Sequence, residues 1–596
     1  MRYLFDLETN GLLDEVNRIH CVGIIDLDTG HEWGFGPSEI DKALDMLANA
    51  ELICGHNIIK YDLPVIRKLY PNWTTKATIR DTIVMCRLAY PEVSKRDFAM
   101  KVFNNGHARL VGSHSLKAWG IRLKMHKGDL DTDWQSYSSE MLEYCLQDVR
   151  VTKAIWDRFI DDCSPESMEL EHQVATIVHR LEERGWCFDL DKAIKLLASL
   201  KKEVNDIKRE LIDIFGSWFV SDGQITPKRP NKRYGYEVGS TLTKVRLVEF
   251  NPSSRPHIIK VLQKKYGWQP TQFTNQNQPI VDERVLNSLD YPEAKLISRY
   301  LLLEKRLGQL CDGKNAWISL ERDGRLHCSI NTNGTVTGRC THRSPNLGQV
   351  PSVGSPYGKE CRELFKPTSG YKLVGIDASA LELRCLAHFM ANYDGGSYVD
   401  TVVNGKKEDG SEIHTVNMQA LEIDSRDLAK RWFYGFIYGA GNSKLGEIVG
   451  GGNKEGKRLR EVFLKNVPAL ATLQERVQIV ADERKHLLGL DKRKLHVRSL
   501  HSSLNLLLQS AGSLIVKKAL CIFDDALQKE HGLIPGDDYE FLAFVHDEFQ
   551  IECKPELVDL VGQVGLESFR KSGEEFKLNC PIDAEWKEGA NWSQTH

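Results

Sequence analysis

No CxxC pair occurs among the 14 cysteines, which are scattered over 596 residues. That spacing argues against a structural zinc site and against a secreted disulfide framework, and reduced thiols fit best. No apolar run is expected to be long enough to span a membrane, so no membrane partner is expected. The opening stretch MRYLFDLETNGLL holds two acids within its first eight residues, unlike a signal or transit peptide. Internal repeats and low-complexity tracts are also missing. Charge of either sign is barely in excess: the formal net charge is -3. A nearly neutral sum neither requires nor excludes nucleic acid, because the contacting patch matters more than the total.

What remains is an ordinary globular composition, 41% hydrophobic and 27% charged. The length suggests about three to five domains or subdomains. Tyr3 to Leu7 and Ile19 to Asp26 read as strands, and Ile40 to Ala50 and Ser139 to Phe159 as helices. That mixture predicts an α/β or α+β domain, ending where Ser164-Pro165 breaks a helix. Residues 166–214 read as long helices. From Ser221 to Pro270 there are ten Lys or Arg against three acids, among many turn residues. Such a segment can contact phosphates, although a solvated loop is the plainer expectation. Further on, Tyr371 to Ile376 reads as a strand ending at Asp377, and Arg426 to Gly435 as a helix. Tyr539 to Val545 and Phe549 to Cys553 read as strands around a turn at His546-Asp547-Glu548.

Two sets of carboxylates carry the chemistry. In FDLETN, Asp6 and Glu8 are two apart on a strand, so both project to one side. Adjacent carboxylates repel unless a cation lies between them, and oxygen ligands suit Mg²⁺ or Mn²⁺. In HNIIKYDLPVI, Asp62 opens a helical pattern. In YCLQDVRVT, Tyr144 and Asp148 share a helix face. The order DxE, NxxxYD, YxxxD resembles the tyrosine class of the DEDD exonuclease superfamily. The resemblance implies that Asp6, Glu8, Asp62 and Asp148 hold two divalent metals and that Tyr144 orients the attacking water.

The second set is Asp377, at a strand end, and Asp547, in a turn between strands. Either one alone reads as a turn or cap residue. Between them, RDLAKRWFYGFIYGAG puts Arg426, Lys430, Tyr434 and Tyr438 at steps of four along one broad helix face. Cations there suit phosphates, and aromatics suit a base or sugar.

IDASALELRCLAHFM, KRWFYGFIYGAG, VHDEFQ and TGRCTHRSPNLGQVP together resemble family A DNA polymerases, and within them the replicative enzymes of short-tailed phages. The likeness runs over nearly the whole chain, with no 5′-nuclease domain expected before it. It implies an α/β and α+β multidomain fold: an RNase H-like exonuclease domain followed by a right hand. The expected spans are exonuclease 1–163, thumb 164–325, palm 326–400 and 491–596, and fingers 401–490. It implies template-directed transfer of dNMP to a primer 3′-hydroxyl, with 3′→5′ proofreading.

By the same resemblance, Asp377, Asp547 and the Ala378 carbonyl hold two Mg²⁺ ions, for which Mn²⁺ can substitute. Arg426, Lys430 and His414 meet the triphosphate. Tyr434 packs on the incoming nucleotide, and Glu382 crowds the 2′ position, anchoring the Tyr434 hydroxyl. Arg339 and His546 meet the primer end, helped by Glu548. Tyr438, Asn505 and Gln509 lie near the template. Ala380 replaces a glycine of close relatives, with little effect expected. The expected partners are primer-template DNA, dNTPs, a phage helicase-primase and a single-stranded DNA-binding protein, in the cytoplasm of an infected bacterium. Phage relatives carry a long thumb insertion between FGSW and FNPSSR that recruits host thioredoxin. Here Phe219 to Glu249 is short, which argues against thioredoxin and leaves the basic residues to hold duplex DNA directly. Two alternatives stay open: a stand-alone exonuclease with a DNA-binding module, and a single-subunit RNA polymerase.

Overall fold

A computed structural model of the chain describes residues 1–103, 107–125, 130, 133–274 and 276–596. The chain divides into two compact units. The first comprises Met1–Trp186, His327–Val350 and Lys366–His596, and the second Cys187–Leu326 and Pro351–Phe365.

The first unit begins with a five-stranded sheet built from β1 (Arg2–Thr9), β2 (Ile19–Asp26), β3 (Glu32–Phe35), β4 (Leu52–Gly55) and β5 (Thr78–Asp81). Its order is β3-β2-β1-β4-β5, antiparallel on the β2 and β3 side and parallel on the β4 and β5 side. Helix α1 (Asp62–Leu69) follows β4. Helix α2 (Ser139–Phe159) starts where the Ser138 hydroxyl accepts from the Met141 amide, and it packs on β1 and β2. Gly23 permits that approach: a Cβ there would lie 3.2 Å from Val149 and 3.3 Å from Leu146. Ser164 and Pro165 end one helix and start the next, α3 (Pro165–Arg184), with Ser164 as cap and Pro165 in the first turn.

The second unit holds α4 (Leu190–Phe215), an antiparallel hairpin of β6 (Ser217–Ile225) and β7 (Leu242–Glu249), then α5 (Arg255–Tyr266) and α6 (Pro292–Leu310). About half of the stretch expected to be a solvated loop is therefore strand and helix.

The first unit resumes with β8 (Lys372–Ala378), α7 (Leu381–Asp394), α8 (Ile413–Leu421), α9 (Arg426–Ile437) and α10 (Ser503–Asp525). It closes with β9 (Tyr539–Val545), β10 (Glu548–Cys553), α11 (Val558–Glu575) and β11 (Ala584–Gly589). These strands form an antiparallel sheet in the order β9-β10-β8-β11. Its α10 corrects one expectation. The stretch Leu500–Glu530 is long and apolar enough to cross a membrane by composition, with a mean hydropathy of 1.5. It is apolar because it is a core helix: 78% of that apolar stretch is buried inside the protein. At its centre Lys517 is fully buried and ion-paired with Glu171 of α3.

Candidate active sites

In β1 the side chains alternate. Phe5 and Leu7 enter the core, and Asp6 and Glu8 take the other face. Helix α2 lies over that face, with the Cys145 thiol 3.3 Å from the Asp6 carbonyl oxygen. One donor atom each from Asp6, Glu8 and Cys145 falls within 4.8 Å of the others. The thiol is pushed well above its ordinary pKa by its hydrogen bond with Cys21, by burial and by the Asp6 charge. It stays protonated and is a poor ligand, so the carboxylates supply the hard oxygen donors.

Asp62 opens α1 and is only 3% exposed. Its pKa is raised to about 8, by burial first and then by the charges of Asp81 and Glu8. A buried acid pushed up by neighbouring acids fits a site that takes a cation. Asp148 is buried on α2, three residues past Cys145 and so on the same face. Tyr144 sits one turn before Asp148, its ring edge-on to Trp134 at 6.1 Å.

Asp81 was not picked out in the sequence. It ends β5, is 1% exposed, and its carboxylate accepts from the amides of Asn57 (2.7 Å), Ile59 (3.2 Å) and Ile83 (2.9 Å). It thereby fixes the loop that delivers Asp62. Its own amide donates to His172 Nε2 at 2.7 Å. The pattern Asp-Thr ahead of an apolar helix is an N-cap signal that could have drawn attention to it.

The second set lies at one end of the antiparallel sheet. Asp377 on β8 is paired in register with Glu548 on β10, and the Ala378 amide donates to the Asp547 carbonyl at 3.2 Å. Register therefore brings the two aspartates together. The Asp377 pKa rises to about 7, because surrounding protein partly desolvates a carboxylate that also faces Asp547 and Glu548. Asp547 is raised too, by burial first and then by Glu382. His546 holds a left-handed backbone (φ 59°) that turns the chain at this point.

Glu548, expected to help support the primer end, is turned inward. It is buried, and its carboxylate accepts from Trp592 Nε1 (2.5 Å) and Gln550 Nε2 (2.6 Å) and lies 2.8 Å from His596 Nδ1.

Helix α9 buries Ala429, Trp432, Phe433, Phe436 and Ile437. Arg426, Lys430 and Tyr434 run along the border of that buried face, with Tyr438 as C-cap. Tyr434 and Tyr438 stack at 6.1 Å, and Tyr434 lies 5.9 Å from the His414 ring. Arg426 grips Glu412, the cap of α8, through two bonds of 3.0 and 2.8 Å. His414 is buried and held below its usual pKa by burial, and the Lys430 and Arg426 charges add to that effect.

Glu382 accepts from the hydroxyl of Tyr438 at 2.7 Å, where Tyr434 was expected. Tyr438, ending α9, is the residue that reaches the start of α7. Arg339 Nη2 lies 3.5 Å from the same Glu382 oxygen. Ala380, just before α7, has φ 50° and ψ 39°. A left-handed alanine is strained relative to glycine, so this replacement has a cost that the sequence alone did not suggest. On α10, Asn505 and Gln509 are one turn apart. Asn505 lines a cavity of about 220 Å³ together with Ile437, Gly439, Arg460 and His501.

Residues 236–594 match the profile of DNA polymerase family A. The chain is 36% identical to the DNA-directed DNA polymerases of Enterobacteria phage T3 and Escherichia phage T7, with 99% of each chain covered. Those alignments run over 711 positions against 596 residues here, so the relatives carry sequence that this chain lacks. DNA polymerase I of Aquifex aeolicus is 24% identical, covering 99% of this chain and 96% of that one. In fold, the chain is similar to the POL domain of Pol1 from M. smegmatis, solved in complex with DNA primer-template and dNTP. The TM-score is 0.74 at 18% identity, covering 100% of this chain and 96% of that one.

Proposed function

The chain belongs to DNA polymerase family A and is a DNA-directed DNA polymerase, and we propose that it joins to this a 3′→5′ proofreading exonuclease, with each reaction at one of its two carboxylate sites. The observation that carries the assignment is the registered pairing of β8 with β10, which sets Asp377 beside Asp547. We assign 1–163 to the exonuclease domain, 164–325 to the thumb, 326–400 and 491–596 to the palm, and 401–490 to the fingers.

Enzymes of this family use divalent metal ions. At the polymerase site Asp377, Asp547 and the Ala378 carbonyl would hold two Mg²⁺ ions. At the exonuclease site Asp6, Glu8, Asp62 and Asp148 would do so. Bound cations of this kind neutralise crowded acids and stabilise the attacking and leaving oxygens of a phosphoryl transfer.

The chain's own groups do the rest. Lys430 stands exposed on α9 and meets the triphosphate. Arg426 joins it by exchanging Glu412 for a phosphate, a charge-assisted contact of the same bidentate kind. His414 approaches from α8, and Tyr434 packs against the sugar and base. The primer 3′-oxygen attacks the α-phosphorus of the dNTP, a phosphodiester bond forms and pyrophosphate leaves. Glu382, fixed by the Tyr438 hydroxyl, crowds the 2′ position and selects against ribonucleotides. Arg339 and His546 support the primer end, and Asn505 and Gln509 test base-pair geometry through acceptors common to all correct pairs. Tyr438 stacks near the templating base. At the other site, Tyr144 orients the water that attacks the terminal phosphodiester. The setting is a phage-infected bacterial cell, with a helicase-primase and a single-stranded DNA-binding protein as partners.

Primer extension on a primed single-stranded template with Mg²⁺ tests this reading. The wild type is expected to extend with dNTPs and not rNTPs, and Asp377→Ala to lose extension by at least about 10³-fold. Extension that survives Asp377→Ala would sink the assignment of this site.

A further inference from the structure

Arg339 supports the primer end with a single guanidinium, yet it stands on a loop. Strands Ser329–Asn331 and Thr341–Arg343 pair antiparallel, and residues 332–340 connect them. A contact that tests base-pair geometry must be held to a fraction of an ångström, and a loop reaches that precision only with outside support. Within the loop, the Gly334 amide donates to the Arg339 carbonyl and the Arg339 amide to the Thr335 hydroxyl, both at 3.1 Å. These bonds set its shape and not its place.

Its place is set from outside. The Ser513 hydroxyl of α10 donates to the Gly338 carbonyl at 2.9 Å. Arg493 lies directly against the loop: a Cβ at Gly338 would fall 2.9 Å from its Nη1. The same Nη1 donates to Asn333 Oδ1 at 3.2 Å. Asn333 is 3% exposed, and its Nδ2 donates to the Arg87 carbonyl at 2.7 Å. That carbonyl belongs to the helix Thr82–Ala89, whose cap is Asp81, the anchor of the loop that delivers Asp62. Arg493 cannot swing away. It is buried, paired with Asp491 at 2.6 Å and with Glu171 of α3 at 2.7 Å, and Glu171 also pairs with Lys517. Replacing a buried ionic cluster by apolar packing often costs no stability, so the return on this one is a fixed guanidinium facing Asn333.

Asn333 thus accepts from the polymerase part of the chain and donates to the part assigned to the exonuclease. We propose that Asn333 is a positioning residue for Arg339: its bond to the Arg87 carbonyl ties the Arg339 loop to the helix Thr82–Ala89, so that recognition of the primer end at the polymerase site depends on the N-terminal part of the chain. This rests on the reading that Arg339 meets the primer end, where the minor groove offers adenine N3 as an acceptor.

The test is single-turnover incorporation of one dNMP by the full chain on two primers, one ending in adenine and one in 3-deazaadenine, which lacks N3. The quantity read is the ratio of the two rates. Wild type should slow at least about tenfold on the analogue, as loss of a hydrogen bond to a charged group does. Arg339→Ala should show no such difference. Asn333→Asp keeps an acceptor for Arg493 and loses the donor for the Arg87 carbonyl, and its ratio should fall to about twofold or less. Asn333→Ala, which loses both contacts, should do the same, and thermal melting checks that each variant is folded. A merely architectural Asn333 would lower the melting temperature and leave the ratio at the wild-type value. That ratio in either folded variant would overturn the inference. A wild type indifferent to the missing N3 would overturn the reading of Arg339 itself, and the inference with it.

Discussion

At the N-terminal sheet the acids arrive from three separate elements, β1, α1 and α2, and two of them, Asp62 and Asp148, are buried. At the antiparallel sheet Asp377 lies near the end of β8 and Asp547 in the turn that leads into its neighbour β10. The first arrangement depends on how helices are set against a sheet. The second is fixed by strand register and by the tight turn at His546 and Asp547. A site assembled from distant elements needs supporting contacts to hold each contributor, and Asp81 with His172 supplies them. A site fixed by register needs fewer, and its neighbour Glu548 is free to turn inward and tie the strand to Trp592.

The largest effect that probes this contrast is at Asp62. Asp62→Asn is expected to lower primer degradation by at least about 10³-fold and to leave extension intact, read by assaying both on one labelled primer. Next comes the support. Asp81→Asn should lower degradation by about 10–100-fold, as loss of an orienting contact does, again with extension unchanged. If Asp81→Asn had no effect on degradation, the loop carrying Asp62 would not need its anchor and the contrast would fail.

A smaller effect concerns pH. His172 is held down to about 4 by burial, and its neutral Nε2 accepts the Asp81 amide. Its ordinary pKa is 6.5, so between about 6.5 and 4 the unfolded chain binds this proton and the folded one does not. The stability that His172 contributes is thus present above about 6.5 and is lost as pH falls through about 4. Thermal melts from pH 7 to 4 should show that fall, and His172→Gln should flatten part of it. Only part is expected, since His179 and His342 are also held near 4 by burial. The smallest effect is at Ala380. Ala380→Gly relieves a left-handed alanine and should stabilise the chain by up to about 1 kcal/mol in denaturant titration.

Much of this was legible in the sequence because it is periodic. Strand alternation put Asp6 and Glu8 on one side, and the spacing of four put Arg426, Lys430 and Tyr434 on one helix face. The Ser164-Pro165 pair marked a real helix junction. What was not legible depends on contacts between distant segments. Nothing near Cys145 in the chain says that its thiol will sit against Asp6. Nothing near Glu382 says that Tyr438 will reach it before Tyr434. The basic stretch read as a loop because turn residues outnumber alternating ones between its two strands, Ser217–Ile225 and Leu242–Glu249.

The most direct measurement compares three proteins on one labelled primer-template with Mg²⁺: wild type, Asp547→Ala, and the double variant Asp6→Ala with Glu8→Ala. The account predicts opposite losses. Asp547→Ala should degrade the primer and not extend it, and the double variant should extend it and not degrade it. Both activities falling together in either variant would contradict the claim that the chain carries two separate sites.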